Sequence, residues 1–193
     1  MSVDAPYPVR LEVDYPERLS RLLIFVKWLL AIPQFVVLYF LAIAQLFVAF
    51  IAFFAILFTK QYPRGMFDFV VLVQRWATNV SAYASLMRDE YPPFSGDAER
   101  YPAVRLEIDY PETLSRWLPF VKWLLAIPHF FALLFVGLAA GVVLLIAWFA
   151  ILFTARFPRG MFDFAVGYLR WSVRVNAYAG LLVTDTYPPF ALR

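Results

Sequence analysis

Polar and apolar positions first alternate along the chain and then merge into long apolar blocks, and the whole order comes twice. Val9, Leu11, Val13 and Tyr15 alternate with Arg10, Glu12 and Asp14, a period of two that predicts a half-buried strand. Val104, Leu106, Ile108 and Tyr110 repeat it. Such strands need partners: each other, or a second subunit. After Tyr15-Pro16, residues 17–32 predict an amphipathic helix with Pro near its first turn. At roughly 15 residues it is too short to cross about 30 Å of hydrocarbon, so an interfacial position is expected, ended or kinked by Pro33. From Phe35 to Phe58 there is no charge and Gln45 is the one strongly polar side chain, and Phe130 to Phe153 carries neither. Each run, about 24 residues, is long enough to span with some tilt, which predicts transmembrane helices over 34–59 and 129–154. A Pro-Arg-Gly break follows each run. Further helices are predicted over 66–88 and 161–183, with Arg75 near the middle of one and Arg170 and Arg174 one turn apart in the other.

A shift of 95 lays Arg10–Arg88 on Arg105–Val183 without a gap, and Tyr91-Pro-Pro-Phe94 meets Tyr187-Pro-Pro-Phe190 after one inserted residue. The chain therefore reads as a tandem duplication, 1–96 and 97–193. The fold class is mainly α and integral to a membrane: in each repeat a short β-strand, an interfacial helix, a long transmembrane helix and a second helix that spans or lies in plane. If the second helix spans, the repeats are parallel, and the basic excess on the face holding the termini places them in the cytoplasm. If it lies flat, each unit crosses once and the copies are inverted. Matching polar elements favour the parallel case. It leaves an arginine at bilayer depth, a cost of about 3 kcal/mol on insertion scales.

Composition sharpens this picture. The 193 residues are 63% hydrophobic and 20% aromatic, well above a soluble domain, and the excess is concentrated in blocks. The net charge of +3 suits basic juxtamembrane flanks better than a nucleic-acid binder, so no nucleic-acid partner is expected. Cysteine is absent, which excludes disulfides, thiolate metal sites and cysteine nucleophiles. The opening Met1-Ser-Val-Asp-Ala-Pro6 reads as acidic and polar, unlike a signal peptide.

Few residues could carry chemistry. Arg75, Arg170 and Arg174 are candidates for an anion, lipid-phosphate or carboxylate site inside a helix assembly, or for snorkelling or structural pairs with Asp68 and Asp163 across units. Arg64 and Arg159, in the Pro-Arg-Gly turns, are placed for headgroup phosphates, and Asp68 and Asp163 for the positive ends of the following helices. Lys27 with Trp28 and Lys122 with Trp123 read as interfacial anchors, the lysines snorkelling. His129 is the only histidine, with Gln34 in its place in the first repeat, and reads as a packed or interfacial residue. No metal, cofactor or catalytic residue is expected: there is no ligand cluster, Ser/His/acid arrangement or phosphate loop.

Several motifs together resemble a known family. They are Arg-Leu-x-x-x-Tyr-Pro, Leu-Ala-Ile-Pro-His (Gln in the first repeat), Ile-Ala-Trp-Phe-Ala-Ile-Leu-Phe-Thr, Phe-Pro-Arg-Gly-Met-Phe-Asp-Phe, Leu-Arg-Trp, Asn-Ala-Tyr and Tyr-Pro-Pro-Phe. The chain resembles a bacterial membrane-protein family defined as domain of unknown function 4389, present twice. The first repeat departs at Gln34, Phe53 and Lys60-Gln61-Tyr62. The resemblance implies a bacterial membrane protein and brings no activity with it.

The expected function is that of a non-enzymatic integral membrane protein: an accessory or scaffold subunit of a larger complex, or a self-assembling oligomer. Its partners would be membrane lipids and other membrane subunits or copies of itself, in the bacterial inner membrane. The alternative is a channel or carrier for an anion or lipid that uses the mid-helix arginines.

Overall fold

The computed structural model describes residues 7–192. The two strand patterns pair with each other. β1 (Val9–Val13) and β2 (Val104–Ile108) form a two-stranded antiparallel ribbon in which Val9 faces Ile108, Leu11 faces Leu106 and Val13 faces Val104. Residues related by the 95-residue shift are thus exchanged across a pseudo-two-fold axis that passes between Leu11 and Leu106. The same exchange extends the ribbon at both ends, where Asp14 N donates to Ala103 O and Asp109 N to Pro8 O. Val9, Leu11, Val104, Leu106 and Ile108 are buried beneath the ribbon. On its outer face Arg10 pairs with Glu107 and Asp109, and Arg105 with Glu12 and Asp14. Arg105 holds the Asp14 carboxyl below its usual range. The contribution of that pair is complete above the ordinary carboxylate pKa and is lost as pH falls through the lowered value.

Beneath the ribbon lie α2 (Arg64–Ala84) and α5 (Arg159–Val175), one per repeat. α2 packs on β2 and α5 on β1, so each helix supports the strand of the other repeat. Outside them run the long apolar helices. α1 covers Leu23–Thr59 without interruption; its counterpart is divided at Ala126 into α3 (Leu118–Leu125) and α4 (Ile127–Thr154). α1 packs on α2, and α4 on α5.

The helix boundaries differ from the sequence expectation. There is no separate interfacial helix over 17–32: that segment is non-helical to Leu22, and α1 then runs as one helix through Pro33. Proline removes a helical hydrogen bond and crowds the preceding turn. Ala31 and Gln34, on either side of Pro33, are completely buried, which holds the helix together where proline alone would favour a stop. In the second repeat the helix is interrupted two residues before Pro128, at Ala126. Each long helix ends in a left-handed residue, Lys60 (φ 60°) and Ala155 (φ 57°), whose N–H caps the carbonyl of Ile56 or Ile151.

The one-residue insertion has a physical location. Asn176–Gly180 form a single π-helical turn, the usual way a helix absorbs an added residue. Beyond it the equivalence becomes 96: Leu86 and Leu182 both adopt φ near 60°, and Asp89 matches Asp185. The ungapped match through Val183 is therefore corrected from residue 181 onward.

After each amphipathic helix the chain crosses back over it, and each crossing has one glycine, on opposite partners. In the first repeat a Cβ on Gly96 would overlap the Leu72 carbonyl; in the second, a Cβ on Gly167 of the helix would meet the Leu192 carbonyl. Gly96→Ala should destabilise the protein by about 1–3 kcal/mol, the usual cost of overpacking, read from its thermal unfolding in detergent.

Candidate functional site

The buried lysines and the mid-helix arginines form two sets, and neither is arranged as the sequence predicts. The first set is a buried lysine–aspartate pair in each repeat. Lys27 lies on the inner face of α1, 1% exposed, and Lys122 on α3, fully buried. Lys27 Nζ lies 2.8 Å from Asp89 Oδ1 and donates to the Arg88 carbonyl at 2.6 Å. Lys122 Nζ lies 2.8 Å from Asp185 Oδ1 and donates to the Thr184 carbonyl at 2.7 Å. The second oxygen of each aspartate accepts from a backbone N–H, of Ser20 or Ser115. Each ammonium also lies 5.2 Å from the ring centre of Tyr83 or Tyr178. The snorkelling expected of these lysines is corrected: they point inward, away from the apolar surface, because a carboxylate and a carbonyl wait there. Trp28 and Trp123 point the other way and are exposed.

The π turn makes this two-fold correspondence possible. Without it, the residue opposite Lys122 would fall one position out of register, and Asp185 would not face it. The left-handed Leu86 and Leu182 tighten the same turns, where Met87 N donates to Ala82 O and Val183 N to Ala177 O. The sequence signal was available in Leu86-Met-Arg-Asp89 against Leu182-Val-Thr-Asp185, which align only at a shift of 96.

The second set is the arginines. Arg75 Nε donates to the Leu106 carbonyl, and Arg170 Nε to the Leu11 carbonyl, both at 2.9 Å. These are the two residues that flank the pseudo-two-fold axis. Arg170 also donates to Leu192 O, and Arg174 donates to Val9 O and lies over the Tyr7 ring. All three arginines expected near mid-helix thus bind main-chain carbonyls of the ribbon or tail. In a two-stranded ribbon every second carbonyl lacks a strand partner, and a guanidinium supplies it.

Arg64 and Arg159 stack over the other repeat's tyrosine, Tyr110 at 4.2 Å and Tyr15 at 4.1 Å. Those tyrosines donate to the carbonyls of Tyr62 and Phe157, so each Pro-Arg-Gly turn is a socket for the end of the opposite strand. Asp68 does not pair with Arg75; it lies 4.0 Å from Arg64 on the helix surface, and Asp163 is exposed in the matching place.

Gln34 and His129 occupy equivalent buried places. Gln34 accepts from Trp76 Nε1 and donates to Pro92 O, whereas His129 Nδ1 accepts from Trp171 Nε1 and its ring stacks on Phe190 at 3.8 Å. Both tie the Tyr-Pro-Pro-Phe segment to its helix, which agrees with a packed histidine. Among the described residues no group of three metal-ligating side chains comes together.

Tyr62 and Phe157 are likewise equivalent and fully buried, and among the described residues the Tyr62 hydroxyl has no hydrogen-bond partner. Burial pushes its phenol well above the ordinary tyrosine value. Tyr62→Phe should therefore stabilise the protein by about 1 kcal/mol, by removing a desolvated, unpaired hydroxyl; chemical denaturation in detergent measures it.

The match to known families agrees with the duplication. The model of the domain of unknown function DUF4389 matches residues 21–96 and again residues 116–191, and the chain belongs to this family as a tandem pair of its domains. No curated protein and no solved structure matches the chain.

Proposed function

We propose that the protein is a non-enzymatic membrane component, an accessory or scaffold subunit of a membrane complex or a self-assembling oligomer, held at the bacterial inner membrane with its ends in the cytoplasm. The observation that carries this reading is the outer surface of α1, α3 and α4. Its exposed residues include Trp28, Tyr39, Phe40, Leu46, Phe47, Phe58, Trp117, Phe131, Phe135, Leu138 and Phe153, each 60% or more accessible. A soluble monomer rarely exposes a contiguous apolar patch of that extent. Two helical stretches, Leu23–Thr59 and Leu118–Thr154, have the length and composition of membrane segments.

The remaining groups support structure rather than turnover. The Lys27–Asp89 and Lys122–Asp185 pairs and the mid-helix arginines are engaged with each other or with main-chain carbonyls, which supports a structural role for them over an arginine-lined anion or lipid carrier. The strands pair within the chain, so assembly would use the apolar helices and not the ribbon. Native mass spectrometry of protein released in native-lipid nanodiscs tests the reading. A fixed stoichiometry with itself or with another membrane protein supports it; a lone monomer at every lipid-to-protein ratio refutes the scaffold role.

A further inference from the structure

We propose that the protein seats in one leaflet of the membrane, its pseudo-two-fold axis along the membrane normal, and that neither long helix crosses the bilayer. This rests on the membrane reading above and overturns the spanning arrangement expected from helix length.

The argument is one of levels along the axis. Residues exchanged by the two-fold lie at equal height. Leu19 N donates to Ala155 O at 2.9 Å, and Leu114 N to Lys60 O at 2.8 Å. Ala155 is the counterpart of Lys60, so Leu19 and Lys60, which flank α1, stand at nearly the same height. The helix interior says the same. Phe25 packs edge-on against Trp148, and Phe53 against Phe120, with ring centres 5.0 and 4.9 Å apart. Trp148 is the counterpart of Phe53, so positions 25 and 53 share one level although about 42 Å of helix separates them. A helix that crossed along the axis would place them on opposite membrane faces.

The axis could instead lie in the membrane plane, with α1 and α4 crossing in opposite senses. The ribbon excludes that arrangement because it sits on the axis. Its outward side chains Arg10, Glu12, Asp14, Arg105, Glu107 and Asp109 are between 37% and 70% exposed, and they would stand at mid-depth in hydrocarbon, where charge is most costly.

With the axis along the normal, each surface meets a matching environment. Lys27, Gln34 and Gln45, the polar side chains of α1 apart from Tyr39 and the terminal Thr59, turn toward α2 and its following loop, and the other side chains around the helix are apolar. α2 and the ribbon therefore act as the polar face that an interfacial helix ordinarily carries itself. At the helix ends, Arg18, Arg21 and Arg156 surround one junction, and Lys60, Arg116 and Trp117 the other, and Trp28 and Trp123 are exposed on the adjoining helices. Basic and indole side chains at one level are placed for the phosphate and glycerol region of a single leaflet.

The absence of cysteine makes the test direct. Arg21→Cys, Gln61→Cys and Glu107→Cys, each at an exposed position, are probed with a membrane-impermeant maleimide in sealed vesicles of either orientation. All three should react from one side, and none from the other until the vesicles are opened. Labelling of positions 21 and 61 from opposite sides would overturn the proposal. In the wild type, the native tryptophans should be quenched more by bromines high on the lipid chains than by bromines at the chain ends; the reverse order would also overturn it. Loss of the protein from vesicles on alkaline carbonate washing is a separate result, which would sink the membrane reading itself.

Discussion

Lys122→Met, with Asp185 left in place, is expected to cost about 3–5 kcal/mol of stability. The ammonium is fully buried and the carboxylate mostly so. Removing one partner leaves a desolvated charge with no counter-ion, whereas its attraction to the lysine had offset the desolvation of both. The same logic makes the double replacement Lys122→Met with Asp185→Leu much milder, because no charge is then stranded. Lys27→Met should behave like Lys122→Met, since its contacts are the same in kind and length. Unfolding in detergent, followed by tryptophan fluorescence, gives the cycle. If Lys122→Met alone unfolds like the wild type, the side chain was free to reach solvent, and the inward-facing pair has no part in holding the loop after the π turn.

The second large effect is expected at the axis. Arg75→Ala with Arg170→Ala removes the donors to the carbonyls of Leu106 and Leu11. A hydrogen bond from a charged donor contributes about 1.5–3 kcal/mol, so the pair should cost roughly twice that at the ribbon, and Arg170→Ala also releases the Leu192 carbonyl of the tail. Amide exchange over Val9–Val13 and Val104–Ile108 should accelerate by two orders of magnitude or more, while α1 and α2 stay protected. Arg→Lys at these positions should rescue little, because an ammonium cannot present the Nε–H in the guanidinium plane. A carrier using these arginines would instead lose anion flux with unchanged strand protection.

Much of this structure was legible in the sequence, and the parts that were not have physical reasons. The duplication, the strands and the apolar helices follow from periodicity alone. What periodicity could not show is the exchange between repeats. Nothing local in Val9–Val13 or Val104–Ile108 says that β1 rests on α5 and β2 on α2, so the sequence sets the arginines against an anion, a lipid phosphate or a carboxylate and not against strand carbonyls. Lys27 and Lys122 read as anchors in the sequence because an isolated lysine beside tryptophan in an apolar run usually snorkels. Their aspartates lie 62 and 63 residues further on and become partners only after α2 or α5 folds back. Pro33 reads as a helix end or kink in the sequence because the packing of Ala31 and Gln34 that carries α1 through it is tertiary. Membrane-spanning length was present in α1 and α4, but length carries no direction, and the direction comes from contacts such as Leu19 with Ala155.

The central claim is that the outer surface of α1, α3 and α4 is covered by lipid. Flotation of the purified protein with liposomes, followed by an alkaline carbonate wash, tests it most directly. The account predicts that the protein floats with the vesicles and stays with them after the wash. A protein that remains monodisperse and monomeric in detergent-free buffer, and fails to float, would contradict it.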